Sequence, residues 1–347
     1  MNPAYRQILT ASENDRRDLF LTAATRLGTA IQNVEKDFLV CWTLDALFNG
    51  LPPGGPRLLF KGGTSLSKGF GLISRFSEDI DITVFRDDLG QSASVEMFEG
   101  LSGKKQKAQL DAIKKACSAF ILGPLADQLR SLAGSLDLTN PPTIDPDTDD
   151  RDGQSLLLCF PLVSNFEGSN LQRAVKIESG AKSALDPHQP LKIKPYIADD
   201  LPDMDLTVSN VVTVAPERTF WDKIIILHGL RRWFERKGEL RGDGQRVSRH
   251  YYDVHCLLHS NLAEAALKNL DLGLNCVRHA RMFFNRPDLD LDSAEPGSLA
   301  LAPPPAMRDI LHRDYINMAG MIFGEAPTFE QVIDSVSELE ARLNSSS

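Results

Sequence analysis

One stretch limits the possible fold more than any other: KGGTSLSKGFGLISRFSEDIDI, which runs from Lys61 to Ile82. A short apolar segment, RLLF (57–60), precedes it, and two aspartates separated by one residue lie at its end. This order predicts a buried strand over 57–60, a glycine-rich turn that opens a helix over 64–74, and a second strand over 78–85. A connecting helix returns the chain to the first strand, so we expect the turn and the aspartates to lie on adjacent strands.

The remainder of the chain predicts a mixed α/β region followed by helices. Residues 34–48 have an apolar face at helical spacing, with Asn33 as a candidate N-cap and Gly50 placed to end the helix. An acidic, proline-rich loop is expected over 139–153. The other predicted helices cover 14–28, 104–133, 217–237, 250–260, 262–270, 275–284, 307–323 and 328–343, and the other predicted strands cover 155–163, 173–180 and 191–197. We therefore expect an α/β (α+β) fold with a mixed sheet over 1–210, N-terminal helices included, and a helical domain over 211–347.

Charge and cysteine content argue against several classes of protein. The net charge of −9 argues against a protein that coats nucleic acid in general, although it permits a local basic groove. The five cysteines include no CxxC pair, which argues against a structural zinc site and a disulfide framework. No apolar run approaches about eighteen residues and the N-terminus lacks the signal-peptide pattern, so we expect no membrane contact and a reducing cytoplasm.

The glycine-rich turn has the composition of an anion site. Backbone N–H groups at the start of a helix have no intrahelical partner, and the helix dipole adds positive potential there. Gly62 and Gly63 would let a phosphate approach the backbone, and Thr64 or Ser65 would add a hydroxyl donor. The alternative is that these hydroxyls only cap the helix.

The two aspartates at the end of the stretch predict a cation site. Alternate side chains of a strand share a face, so Asp79 and Asp81 point the same way while Ile80 and Ile82 point into the core. Paired carboxylates beside a phosphate-binding turn suit Mg²⁺, which commonly bridges carboxylates and substrate phosphates. The alternative is a solvated strand face.

These residues resemble a known family. A Gly-[Gly/Ser] pair followed by Asp-x-Asp is similar to the nucleotide-binding signature of the DNA polymerase β-like nucleotidyltransferase superfamily. The fuller string resembles the AbiEii/AbiGii (MenT-like) toxin branch, the nucleotidyltransferase half of bacterial toxin–antitoxin and abortive-infection (phage defence) systems. Fifteen residues separate Gly63 from Asp79, which is longer than the usual polymerase β spacing but ordinary for this branch. Three further stretches are similar to it: VEKDFLVCWTLDALF (34–48), APERTFWDKIIIL (215–227) and RHYYDVHCL (249–257).

The resemblance implies in-line attack of a hydroxyl on the α-phosphate of an NTP, with two Mg²⁺ ions at the reacting oxygens. It implies that Asp79, Asp81 and a third carboxylate hold the metals, and Glu178 is the candidate for the third. Lys176 and Glu178 share the polar face of their predicted strand, so a plain surface pair is the alternative. The other residues that the resemblance assigns to the nucleotide are Lys61, Gly62, Gly63, Thr64, Ser65, Arg75, Arg218 and Lys223.

Lys223 and Asp253 belong to the later motifs. Lys223 lies within an apolar helical segment, so it either reaches outward or enters a cleft. The resemblance favours contact with the nucleotide phosphates. It also implies that Asp253 organises the site or orients the lysine, whereas a helix-start acid beside Arg249 is the alternative.

The main basic run of the chain covers residues 230–250. It has seven Lys and Arg against three acids, with Trp233 and Phe234 among them. Basic residues with interleaved aromatics suit a nucleic-acid backbone and an unstacked end, so Arg231, Arg232, Arg236 and Lys237 are the candidate RNA-binding residues. A solvated helix with a flexible loop is the alternative.

The resemblance implies three partners: an NTP, an RNA acceptor such as the 3′ end of tRNA, and a cognate antitoxin or regulator. Two other functions stay open. A small-molecule nucleotidyltransferase of the antibiotic-modifying type would share the turn and the aspartates without needing the basic run. A nucleotide-binding module that has lost its chemistry would not need Asp79, Asp81 and Lys223 intact.

Overall fold

A computed structural model describes residues 1–164, 174–241 and 246–345. Its contacts divide the chain into two compact units. The first consists of Met1–Gly69, Phe76–Ala93 and Gly103–Val214, and the second of Phe70–Arg75, Ser94–Ser102 and Ala215–Ser347. The predicted domain boundary at residue 210 falls inside the last strand of the first unit. No helix in the described part of the chain is long and apolar enough to cross a membrane.

The first unit is built on one mixed sheet. The strands, in chain order, are β1 (Leu58–Lys61), β2 (Ile80–Val84), β3 (Thr143–Pro146), β4 (Ser155–Cys159), β5 (Ala174–Glu178), β6 (His188–Ile193) and β7 (Val208–Val214). They lie side by side in the order β3-β4-β5-β2-β1-β7-β6. The strand β2 is central, antiparallel to β1 and parallel to β5. The sequence predicted the adjacency of β1 and β2, and the structure confirms it.

Helices of the first unit pack around this sheet. They are α1 (Pro3–Leu9), α2 (Glu13–Leu27), α3 (Ile31–Asp45), α4 (Gly62–Thr64), α6 (Gly103–Phe120) and α7 (Ala126–Gly134). Helix α3 is buried almost all round and continues as a π-helical turn to Gly50, as expected. The N-cap position of α3 is Ala30, so the prediction of Asn33 as N-cap was wrong.

The second unit is helical. Its helices are α5 (Val95–Glu99), α8 (Pro216–Lys237), α9 (Ser248–Leu258), α10 (Ala263–Lys268), α11 (Leu270–Phe283), α12 (Pro305–Ala319) and α13 (Phe329–Ser345). Pro at the first position and a left-handed Gly238 at the C-cap bound the long α8. The six predicted C-terminal helices are all present, with ends that differ by a few residues.

Several local features differ from the prediction. The helix expected over 64–74 ends at Gly69, as α4 followed by a π-helical turn over Ser65–Gly69, and Gly71 just beyond has a φ of +63°. The expected loop over 139–153 contains the edge strand β3. The strand β7 was not predicted at all, and its Asn210 has a left-handed φ of +59° that interrupts the ordinary strand pattern.

Candidate functional site

Three charged side chains form a row across neighbouring strands of the first unit. Asp81 of β2 is the register partner of Lys61 on β1 and of Glu178 on β5. Side chains at partnered positions lie on the same face of a sheet. The Lys61 ammonium is 3.9 Å from Asp81 Oδ1, and the Asp81 side chain is 27% exposed. The row is thus partly open to solvent. The carboxylates of Asp81 and Glu178 are far apart along the chain but are neighbours in the sheet.

Asp79 lies just before β2. The exposure pattern there alternates as predicted, with Asp79 and Asp81 half-buried and Ile80 and Ile82 fully buried. The shared face expected for the two aspartates is therefore consistent with the backbone.

Glu178 also has a basic partner. Lys176 lies 2.9 Å from Glu178 Oε1 and 3.0 Å from Asp147. Burial acts to lower the pKa of Lys176, but hydrogen bonds to the two carboxylates outweigh it and raise that pKa, so the ammonium stays charged. The surface pair foreseen as the alternative for Glu178 is present, and it coexists with the in-register position beside Asp81.

Gly62 makes room for the Asp81 carboxylate. Its φ is +80°, and a Cβ at this position would lie 2.0 Å from Asp81 Oδ2. No side chain fits at that distance, and the left-handed backbone itself favours glycine. The sequence indicated a glycine that admits a phosphate, whereas in the structure Gly62 admits a carboxylate of the protein.

We expect Gly62→Ala to lower nucleotide transfer by about a hundredfold, because relieving this contact displaces the Asp81 carboxylate by about 1 Å or more and misaligns the reacting groups. Gly54→Ala is the matched control: Gly54 has a φ of +87° but nothing within 4 Å of its Cβ position. Comparing the steady-state transfer rates of the two variants separates the effect of the collision with Asp81 from the effect of placing alanine in a left-handed backbone. Equal rates in the two variants would mean that the position of Asp81 does not matter.

The hydroxyls of the turn bond within the protein. Thr64 Oγ1 lies 2.8 Å from Ser77 Oγ and donates to the carbonyl of Asp79, and Ser65 Oγ donates to the carbonyl of Gly62 at 2.8 Å. Thr64 is fully buried. These bonds connect the turn to the residue that begins the aspartate pair, so the two parts of the signature support each other mechanically.

The carboxylates of this site are the type of ligand that binds hard cations such as Mg²⁺. Three side chains with oxygen donors, Asp79, Asp81 and Glu178, lie at the start of β2 and the end of β5, and lysine ammoniums already lie near two of them. Among the described residues, however, no three His, Cys, Asp or Glu side chains are gathered closely enough to enclose a metal ion. The donor type and the strand register fit a divalent cation.

Sequence reasoning missed the buried charges of α3. Lys36 is fully buried, lies 3.4 Å from Glu78 and donates to the carbonyl of Ala174. Burial lowers the pKa of Lys36, and Glu78 opposes this effect. Ala174 begins β5 and Glu78 precedes Asp79, so one lysine holds both strands that carry the carboxylates. Three consecutive charges in an otherwise apolar helix were the available signal.

The two neighbours of Lys36 act similarly. Glu35 accepts from the backbone N–H groups of Val163 and Ser164 at 2.7 and 3.0 Å. Asp37 accepts from Lys68 at 2.7 Å, and the Lys68 ammonium lies 3.7 Å from the centre of the Tyr196 ring. Lys68 closes the turn segment, so α3 also anchors the far end of the turn.

A second cluster of charges lies within the second unit. Arg75 donates to both carboxylate oxygens of Asp253, at 2.7 and 2.9 Å, and Lys223 donates to Asp253 Oδ2 at 2.7 Å. All three side chains are at most 7% exposed. Burial would raise the pKa of Asp253, but Arg75 and Lys223 outweigh it and hold that pKa below its ordinary value. Burial lowers the pKa of Lys223 despite Asp253.

This geometry agrees with one of the roles considered for Asp253, which was to orient Lys223. Arg75 and Arg218 are buried as well: Arg75 grips Asp253, and Arg218 donates to Asn275 Oδ1 at 2.8 Å. Their predicted contacts with the nucleotide stay predictions.

The basic run of α8 is largely neutralised by acidic side chains. Arg231 pairs with Glu235 and Glu340, and Arg232 pairs with Glu235. The further pairs are Arg232 and Arg236 with Asp290, and Lys237 with Asp288, all at 3.3–3.4 Å. The acids come from α8 itself, from the loop near residue 290 and from α13, which sequence proximity alone could not reveal. The RNA contacts predicted for these residues stay predictions. An RNA phosphate would have to compete with an acidic side chain for each of these basic residues.

Two comparisons with known proteins found similarity to this chain. The model of the family described as nucleotidyl transferase AbiEii toxin, type IV toxin–antitoxin system, matches residues 45–335. Among solved structures, the chain is similar to MenT4, a nucleotidyltransferase toxin from Mycobacterium tuberculosis H37Rv, with 16% identity and a TM-score of 0.41 over 93% of this chain and 98% of that one. No curated protein matches the chain.

Proposed function

The chain belongs to the AbiEii nucleotidyl transferase toxin family of type IV toxin–antitoxin systems, and on that premise we propose that it transfers a nucleotide from an NTP to an RNA acceptor, with Mg²⁺ bound at the carboxylate row formed by Asp79, Asp81 and Glu178. The family makes the protein a nucleotidyltransferase with an NTP substrate and an antitoxin counterpart. The finer proposal is that the acceptor is the 3′ end of tRNA, that two Mg²⁺ ions take part, and that the biological outcome is abortive infection.

The observation that supports this chemistry best is the in-register placement of Asp81 and Glu178 on adjacent parallel strands, with Gly62 opening space beside Asp81. Asp79, Asp81 and Glu178 would hold the metal, which when bound lowers the charge repulsion between the triphosphate and the attacking hydroxyl. Lys61 and Lys176 lie beside these carboxylates and keep the row from carrying an unbalanced negative charge before metal binds.

The nucleotide would be held by the turn and by basic side chains. Backbone N–H groups around Gly63 are the proposed phosphate donors, and Thr64 and Ser65 stiffen the turn through their internal bonds. Lys223 is proposed to contact the phosphates, with Asp253 as its positioning residue, because a bonded carboxylate restricts where the ammonium can go. Arg75, which holds Asp253 from the other side, and Arg218 are proposed to assist.

A small-molecule acceptor is the second candidate, and the paired state of the α8 run favours it. Arg231, Arg232, Arg236 and Lys237 would attract RNA phosphates less strongly when acids already neutralise them. Incubation with each of four labelled NTPs, Mg²⁺ and either total tRNA or a panel of small alcohols decides between the candidates. Label in tRNA supports the proposal, and label only in a small alcohol replaces it. Label in neither, with NTP bound but not consumed, supports the inert module.

If the α8 run binds RNA, replacing its four basic residues with glutamine should flatten the dependence of log Kd on log salt by about 0.7–0.9 for each RNA phosphate that the run neutralises. Transfer at saturating acceptor should change little, since the nucleotide site is untouched. Lys104→Gln with Lys105→Gln is the control, because both lysines are exposed at the start of α6. Filter binding at several salt concentrations measures the slope.

Lys223→Ala gives the contrasting result, because a residue that contacts the nucleotide affects every acceptor alike. Its transfer rate should fall with tRNA and with any other acceptor, at every salt concentration tested.

An unchanged salt slope and an unchanged RNA affinity in the four-residue glutamine variant would contradict the RNA-binding role of the α8 run. The run would then be a solvated face paired with acids, and the acceptor surface would lie elsewhere.

A further inference from the structure

His255 on α9 faces His259, the residue that directly follows this helix, and both lie outside the carboxylate row. His255 and His259 are one helical turn apart, and their ring centres are 4.3 Å apart with the planes tilted by 39°. His259 is exposed and His255 is half-buried. Histidines four residues apart on a helix can bind one metal ion together, provided that both present an unprotonated nitrogen.

Hydrogen bonds assign the same tautomer to both rings. His259 Nδ1 lies 2.8 Å from the carbonyl oxygen of His255, which can only accept, so Nδ1 of His259 carries the proton. His255 Nδ1 lies 2.8 Å from Ser335 Oγ. The hydroxyl of Ser335 donates its own hydrogen to the carbonyl of Gln331 at 2.9 Å, so its oxygen accepts from His255. In the neutral form of both rings the lone pair is therefore on Nε2.

The hydrogen bond at Nδ1 of His255 also favours ligation. Neutral imidazole whose second nitrogen is held by an oxygen is the usual form of a metal-ligating histidine in proteins.

We propose that Nε2 of His255 and Nε2 of His259 bind one divalent transition-metal ion of the zinc class. Imidazole nitrogens suit Zn²⁺, Ni²⁺ and Cu²⁺ rather than Mg²⁺, which separates this site from the carboxylate row. No third His, Cys, Asp or Glu side chain completes a group with them within the described ranges, so water occupies the remaining coordination positions. The ion clamps the last turn of the helix that carries Asp253.

Zinc titration by calorimetry tests the site on the full chain. All variants carry Cys159→Ser, which removes an exposed thiol that could bind zinc. The titration contains excess Mg²⁺, which fills the sites that prefer hard cations. We expect one Zn²⁺ per chain and tighter binding of Cu²⁺, as the Irving–Williams order requires. His259→Ala should abolish this binding without affecting the fold, since the side chain is exposed. The exposed His312 provides the control, and His312→Ala should bind zinc as the parent does.

Ser335→Ala tests the tautomer argument separately. Alanine suits α13, and losing the oxygen that holds His255 should weaken zinc binding about tenfold. Saturable zinc binding that survives His259→Ala, or no saturable binding by the parent, would overturn the proposal. An unchanged affinity in Ser335→Ala would overturn the role assigned to that serine.

Discussion

Asp81→Asn is expected to lower nucleotide transfer on the order of a thousandfold, because a bound metal contributes several kcal/mol of charge stabilisation in the transition state. Asp81 is the carboxylate at the centre of the row, next to Glu178 and within reach of Lys61. The asparagine keeps the shape and removes the charge, so the close fit against Gly62 and the fold should both survive. Transfer of label from NTP at saturating Mg²⁺ measures the effect.

Asp87→Asn is the control for the loss of one negative charge, since Asp87 is exposed shortly after β2. Its transfer rate should match that of the parent. Toxicity on expression should disappear for Asp81→Asn and persist for Asp87→Asn. A folded Asp81→Asn protein that stays active and toxic would remove Asp81 from the metal site and leave it as part of a solvated strand face.

Asp253→Asn is expected to cost about 3–5 kcal/mol of unfolding free energy, because it leaves the buried Arg75 and Lys223 facing a neutral amide. Asp88→Asn is the matched control. Asp88 also receives two bonds from one arginine, Arg57, at 2.8 and 3.0 Å, but that arginine is 63% exposed. An exposed pair contributes about 0–1 kcal/mol. Urea unfolding of both variants gives the comparison.

The contribution of Asp253 to the free energy of unfolding changes with pH in a definite direction. The pKa of Asp253 is lower in the folded protein than in the unfolded chain, so its contribution is complete above the unfolded value of about 4 and is lost as pH falls towards the folded one. The gap between parent and Asp253→Asn should therefore stay constant from pH 7 to about pH 5 and shrink only in stronger acid. A gap no larger than that of Asp88→Asn would mean that the cluster does not stabilise the unit.

The errors of the sequence-based prediction have physical causes. Gly69 and Gly71 lie in the segment expected to be helical, and the left-handed Gly71 is incompatible with an α-helix, so the helix ends early. The strand β7 was missed because Ser209 and Asn210 interrupt its apolar pattern. Pairing with β6 on one side and β1 on the other holds that segment in the sheet, and neither partner is close in sequence.

Much of the site followed from local pattern alone. Alternation of polar and apolar residues over 79–82 predicted which way the aspartates point, and the apolar setting of Lys223 predicted that it either reaches outward or enters a cleft. Both depend on neighbours within a few residues, where backbone geometry determines direction. The family resemblance came from the same short stretches.

Contacts between residues far apart in the chain could not be predicted from local pattern. The register that places Glu178 beside Asp81, the collision that requires glycine at position 62, and the two cations on Asp253 all join residues far apart in the chain. The acids that neutralise the α8 run come partly from other elements for the same reason. Sequence by itself determined the order of most elements, although not β3 or β7, and the kinds of charged group available, because periodicity and turn chemistry are local. Only the tertiary structure decided which charges meet, because burial makes an unpaired charge costly and packing selects its partner.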